Sequence, residues 1–183
     1  MTRCFGDGDP LYSAYHDTEW GVPVRGEAEL YERFALEAFQ SGLAWITILR
    51  KRPAFRTAFA GFDPEAVARF TDDDVARLLA DAGIVRNRAK IEAAVGSARA
   101  VLGLWEQGRT LTDLVWSHAP APRETRPTTW ADVPTSTPES VALAKELKGV
   151  GFRFVGPTTA YASMQACGLV DDHFPGCATY LSR

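Results

Sequence analysis

Two helical repeats in the middle of the chain, set back to back, limit the fold more than any other feature. Val75, Leu78, Leu79 and Ala82 fall at i, i+3, i+4 and i+7, and a second stripe runs through Ile91, Ala94, Val95, Ala98, Val101 and Leu102. This is the period of an α-helix with one apolar face. Thr71-Asp-Asp-Asp74 opens the first repeat as a capping box, with its acids at the positive end of the helix dipole. Gly83 is expected to stop that helix in the C′ position. Residues 72–104 therefore read as helix, hairpin, helix, with Gly83-Ile-Val-Arg-Asn-Arg-Ala89 between. No βαβ alternation, internal repeat or low-complexity segment appears elsewhere, so the class is all-α.

The rest of the chain fits that class. Glu27 to Phe39 is apolar and periodic, and Ala44 to Leu49 leads into the basic run Arg50-Lys51-Arg52. Pro53 should start a separate short helix through Phe59. Asp63-Pro64 is an N-cap with proline at the first helical position. Residues 1–23 are expected to be irregular, broken by Gly6, Gly8, Pro10, Gly21 and Pro23. Residues 108–136 form a long connection with one short helix near Leu111 to Trp116, and with Trp116 and Trp130 as packing anchors. Thr137-Pro138 opens a helix through Lys148, Thr158 to Gly168 forms the last one, and residues 171–177 make a closing turn.

With 183 residues, the chain is expected to form a single unit. It shows no signal peptide and no apolar run long enough for a bilayer, and 3 cysteines are too few for a disulfide scaffold. A cytoplasmic setting is the expectation. The net charge of −3 excludes a surface that is basic throughout, but leaves room for a local basic patch.

Three groups of residues carry possible chemistry. Glu37 points within roughly 20° of Leu30 on its helix, at the edge of an apolar stripe. A carboxylate there either reaches solvent or is held for a polar or cationic ligand. Tyr12, Tyr15, Trp20 and Trp45 would join it in an aromatic cage for a flat, positively charged ring. Gly42 and Leu43 could present an apolar tip to a partner. Secondly, Cys4 and His16 near one terminus, with His173-x3-Cys177 near the other, could form a tetrahedral zinc site. Buried cysteines with surface histidines, or a Cys4–Cys177 disulfide, are the alternatives. Cys167 reads as core. Thirdly, Arg86, Arg88 and Lys90 place cations where a helix N-terminus offers free amides, which suits an anion such as phosphate, with Arg50-Lys51-Arg52 as a possible extension.

Together these pieces resemble the 3-methyladenine DNA glycosylase I family, within the helix-hairpin-helix glycosylase superfamily. The resemblance is carried by Arg3-Cys4, Asp9-Pro-Leu-Tyr-Ser-Ala-Tyr-His16, Glu19-Trp-Gly-Val-Pro23 and Leu36-Glu37 through Gln40-Ser-Gly-Leu-Ala-Trp-Ile-Thr47. It continues through Asp81-Ala-Gly-Ile-Val-Arg86, Lys90-Ile91, Phe154-Val-Gly156, Met164-Gln-Ala-Cys-Gly-Leu-Val170, His173 and Gly176-Cys177. It implies structural Zn2+ on Cys4, His16, His173 and Cys177, joining residues 1–23 to 150–183. It also implies a base pocket at Glu37, Tyr15 and Trp45 with Tyr12 and Trp20 nearby, and a DNA clamp at Gly83, Arg86, Arg88 and Lys90. Where the family often carries a Trp soon after the first Cys, this chain has Phe5-Gly6. The expected activity is hydrolytic excision of 3-methyladenine from alkylated double-stranded DNA, with Glu37 as the catalytic carboxylate and Leu43 filling the gap. No strand-cleaving lyase step is expected. The expected partners are DNA and the free base, without a membrane, for a monomer. The rival from another class is a zinc-stapled helical module that binds DNA without reacting.

Overall fold

The structure, a computed structural model, describes residues 3–177. Among these residues there are nine α-helices and no β-strand: α1 (Pro10–Thr18), α2 (Glu27–Gln40), α3 (Trp45–Ala58), α4 (Pro64–Ala68), α5 (Asp72–Ala80), α6 (Arg88–Glu106), α7 (Leu111–Trp116), α8 (Pro138–Val150) and α9 (Pro157–Ala166). Two 3₁₀ turns, Ala60–Phe62 and Trp130–Asp132, interrupt the connections. None of these helices is long and apolar enough to cross a membrane.

Helix α2 is the hub because it is apolar well beyond one stripe. Leu30, Tyr31, Phe34, Ala35, Leu36, Ala38 and Phe39 are all buried, and the helix packs against α3, α6, α7 and α9. Each such large apolar side chain stabilises the fold by about 1.5–3 kcal/mol. The buried Tyr31 hydroxyl donates to the Ala94 carbonyl at 2.9 Å, tying α2 to α6. Phe39 meets Phe55 at 4.7 Å and Phe59 at 5.8 Å, which fastens α3 beneath α2. Helices α4 and α5 cover another face of α6, and α8 packs on α9.

Three local expectations are corrected. Residues 10–18 are helical: the Asp9 carboxylate accepts the Leu11 and Tyr12 amides at 3.0 and 3.1 Å, with Pro10 at the first helical position. Helix α3 runs unbroken through Pro53, which has no N–H for the fourth carbonyl back. Burial of Phe55 and Ala58 on the far side of the proline outweighs that loss. Gly83 is not a left-handed cap. Helix α5 already ends at Asp81, which is extended, and its Oδ1 accepts the Gly83 N–H at 2.7 Å. Glycine is needed there for space, since a Cβ would lie 3.0 Å from the Ala54 Cβ and 2.9 Å from that same Oδ1.

The two ends of the described chain are stitched together by backbone. Gly21 N donates to Gln165 O and Val24 N to Cys167 O, each at 3.1 Å. Gly168 makes this approach possible: its φ is +72°, and a Cβ would lie 2.6 Å from Pro23 N.

Candidate active site

Helix α1, the end of α2 and the start of α3 bring the aromatic candidates together around Glu37. The Tyr15 and Trp45 rings lie 5.4 Å apart and tilted at 49°, and both are buried. Phe5 stands 4.9 Å from Tyr12, 6.3 Å from Tyr15 and 5.1 Å from Trp20. It therefore forms a wall beside these three rings. Trp130, from the long connection, lies 6.1 Å from Phe5 and 6.2 Å from Trp20, and donates its indole N–H to Cys4 O at 3.1 Å. Sequence reasoning placed Trp130 only as a packing anchor and gave Phe5 no role. Neither has a periodic signal, and Trp130 reaches the site from 126 residues away.

Glu37 is 6% exposed, and its carboxylate makes no hydrogen bond among the described residues. Burial pushes its pKa up to about 8, against a smaller opposing pull from Arg33 one turn earlier. The Arg33 guanidinium donates to Glu19 at 2.9 Å, and Arg52 grips the same carboxylate at 2.6 Å. Burial, with Glu37 second, raises the Tyr12 and Tyr15 hydroxyls, so both stay protonated at neutral pH. The Trp45 indole N–H is also buried without a hydrogen-bond partner. An unmatched acceptor and an unmatched donor beside aromatic faces suit a flat heteroaromatic ring with polar edges. By contrast, a cavity of about 540 Å³ between residues 120–126 and 169–175 is lined by no aromatic ring.

The cysteine and histidine candidates converge on the same end. The ligand atoms of Cys4, His16 and Cys177 lie within 4.8 Å of one another, all buried. No disulfide joins Cys4 to Cys177, so that alternative is not realised. The His16 and His173 rings are 5.1 Å apart. His16 Nδ1 faces Asp17 at 2.9 Å and His173 Nδ1 faces Asp171 at 3.0 Å. Each carboxylate fixes its imidazole so that Nε2 faces away, an arrangement typical of metal-bound histidines. His173 Nε2 is buried without a hydrogen-bond partner. Two thiols and two imidazoles are the donor set of a tetrahedral zinc site, and three of the four, Cys4, His16 and Cys177, have their ligand atoms clustered, with the His173 ring 5.1 Å from that of His16. Trp20 packs 4.6 Å from His173, so this cluster and the aromatic wall are continuous.

The basic candidates separate. Arg86 and Arg88 are exposed at the start of α6, and Arg88 makes only a 3.4 Å contact with Glu92. Lys90 turns inward, against expectation. It is 8% exposed and its ammonium is bound to the carbonyls of Phe39 and Ser41, so it does not join Arg86 and Arg88 at the surface. The Arg50-Lys51-Arg52 run divides among three sets of partners, with only Lys51 reaching the hairpin. Arg50 pairs with Asp9, Lys51 donates to the carbonyls of Ala82 and Gly83, and Arg52 pairs with Glu19. Gly42 has φ +83°, which completes the turn that leaves Leu43 42% exposed.

Fold and site together define an all-helical protein with a buried acid, Glu37, set among buried aromatic side chains. A family model for methyladenine glycosylases matches residues 5–180. The chain is 50% identical over 182 residues to DNA-3-methyladenine glycosylase 1 of Escherichia coli strain K12, covering 98% of this chain and 97% of that protein. A crystal structure of a 3-methyladenine DNA glycosylase I superposes with a TM-score of 0.94 at 48% identity, covering 98% of this chain and all of that one (100%). The 3-methyladenine DNA glycosylase I of Staphylococcus aureus, solved to explain 3-methyladenine recognition, gives 0.93 at 35% identity, over 98% and 96% of the two chains. The chain belongs to the methyladenine glycosylase family.

Proposed function

We propose that this chain is a DNA-3-methyladenine glycosylase, a hydrolase that removes 3-methyladenine from alkylated double-stranded DNA. The carrying observation is Glu37, buried and without a hydrogen bond beside Tyr15 and Trp45. An adenine methylated on a ring nitrogen while still joined to its sugar is a cation. It stacks on aromatic faces and supplies the charge that a buried carboxylate lacks. The base must first leave the duplex, at a cost of a few kcal/mol. Leu43, exposed on its turn, fills the space left behind.

A cationic base is already a good leaving group. The glycosidic bond breaks with its electron pair going to the base, which departs neutral. Water adds to the sugar carbon and gives up a proton. Ionised Glu37 lowers the energy of the oxocarbenium-like sugar and can orient that water. Lys51 and Lys90 spend their ammonium groups on backbone carbonyls, which supports hydrolysis without a lyase step.

Two finer assignments complete the reading. Residues 72–104 act as a helix-hairpin-helix element, in which the free amides at the start of α6, with Gly83, Arg86 and Arg88, grip a DNA phosphate. Cys4, His16, His173 and Cys177 hold a zinc ion whose role is structural, fixing the ends of the chain. Release of free base from methylated duplex is the test. The expected result is stoichiometric release in a single turnover, lost in Glu37→Gln. Duplex binding without release would leave only a DNA-binding module.

A further inference from the structure

Lys90 is the third residue of α6, in the first turn of the helix whose amides form the proposed clamp. That is the positive end of the helix dipole, an unfavourable place for a cation. Its side chain leaves it. Nζ donates to Phe39 O at 3.0 Å and to Ser41 O at 2.6 Å. These carbonyls close α2, whose own last turn has no basic residue. Lys90 supplies the cation that the α2 C-terminus lacks, from 49 residues further along the chain. The next carbonyl is used locally, with Gln40 O accepting the Leu43 N–H at 2.6 Å. The turn that carries Leu43 is thus held by its own backbone and by a side chain from the clamp helix. Glu37 lies in the last turn of the same α2.

We infer that Lys90 is a positioning residue that sets the distance between the 83–88 clamp and the Leu43 turn. Grip on the DNA backbone and entry of Leu43 into the stack then occur in register. Lys90 itself touches no phosphate. This inference rests on the reading of the chain as a DNA glycosylase.

Lys90→Met keeps the length of the side chain and removes its donors. The salt dependence of duplex binding should match wild type, because no phosphate contact is lost. Affinity for free 3-methyladenine should stay within about twofold, while single-turnover excision from duplex falls about tenfold or more. Leu43→Ala should also slow excision, and the double variant should be no slower than the slower single variant, because both act at one step. Rate losses that simply multiply would overturn the inference, as would an equal loss of free-base binding and excision. Lys90→Arg, which keeps charge and donors, should recover most of the rate. If Lys90→Met does not fold, Lys90→Gln, which removes the charge and shortens the reach to the carbonyls, is run through the same cycle with Leu43→Ala, and multiplying losses again overturn it. Failure of wild type to release any base would instead remove the glycosylase reading, and is seen before any variant is made.

Discussion

Glu37 binds its proton more tightly in the folded chain than out of it. Its pKa is pushed up from an ordinary 4.5 to about 8, and the charged or titratable groups around it are Arg33, Tyr12, Tyr15 and Cys167. Between these two values the folded protein holds a proton that the unfolded chain has released. This contribution is full below pH 4.5 and is lost as pH rises through about 8. Glu37→Gln should therefore flatten the fall in stability across that window, measured as urea midpoints at each pH. A cationic base in the pocket reverses the preference, because it favours the ionised carboxylate. Binding methylated DNA near neutral pH should release a proton in wild type and none in Glu37→Gln, as calorimetry in buffers of different ionisation enthalpy can read. The aromatic partners of Glu37 were legible in the sequence, because Tyr12 and Tyr15 share a helix face and Trp45 follows the turn. The wall residue Phe5 was not, since only folding sets it beside residues that are not its neighbours in sequence.

Helices assert themselves through their ends. Capping boxes and prolines at first positions were readable at Thr71, Asp63 and Thr137, and the same signal at Asp9-Pro10 passed for a break in irregular chain. The destinations of Lys51, Arg52 and Lys90 were not readable, because each ends on a partner chosen by packing. The exposed pair Arg86 and Arg88, at the approach to α6, gives a direct test of the clamp. Arg86→Ala should weaken duplex binding alike for all sequences and flatten its salt dependence by about one phosphate contact. Free-base affinity should not move, and an unchanged salt slope would take Arg86 off the backbone. Gly168 tests the junction between the start of the chain and the end of α9. Gly168→Ala combines left-handed strain with a backbone clash at Pro23, for a loss of about 2–4 kcal/mol in chemical denaturation. A loss below about 0.5 kcal/mol would mean the junction relaxes freely.

At the scale of the whole molecule, the two ends of the described chain meet beside the aromatic wall, where Trp20 lies 4.6 Å from His173. Protein purified without chelator should carry about one zinc per chain by elemental analysis. Cys4→Ala or chelation should lower the melting temperature by about 5–15 °C, the scale of a few kcal/mol in a chain of this size. It should also weaken base binding, because Phe5 follows Cys4 directly and loses its anchor. Metal-free protein with an unchanged melting temperature would make the cluster a set of ordinary buried side chains.

This meeting of the ends orders events in time. A chain made from its N-terminus exposes Tyr12, Tyr15 and Glu37 long before the residues that lock them. Gly21 and Val24 find their backbone partners only when Gln165 and Cys167 have been made, and His16 meets Cys177 later still. A nascent chain tethered to the ribosome short of residue 165 therefore has the recognition residues without the frame that sharpens them. In an unfinished copy Gly21 and Val24 lack the backbone acceptors that hold them in the folded protein.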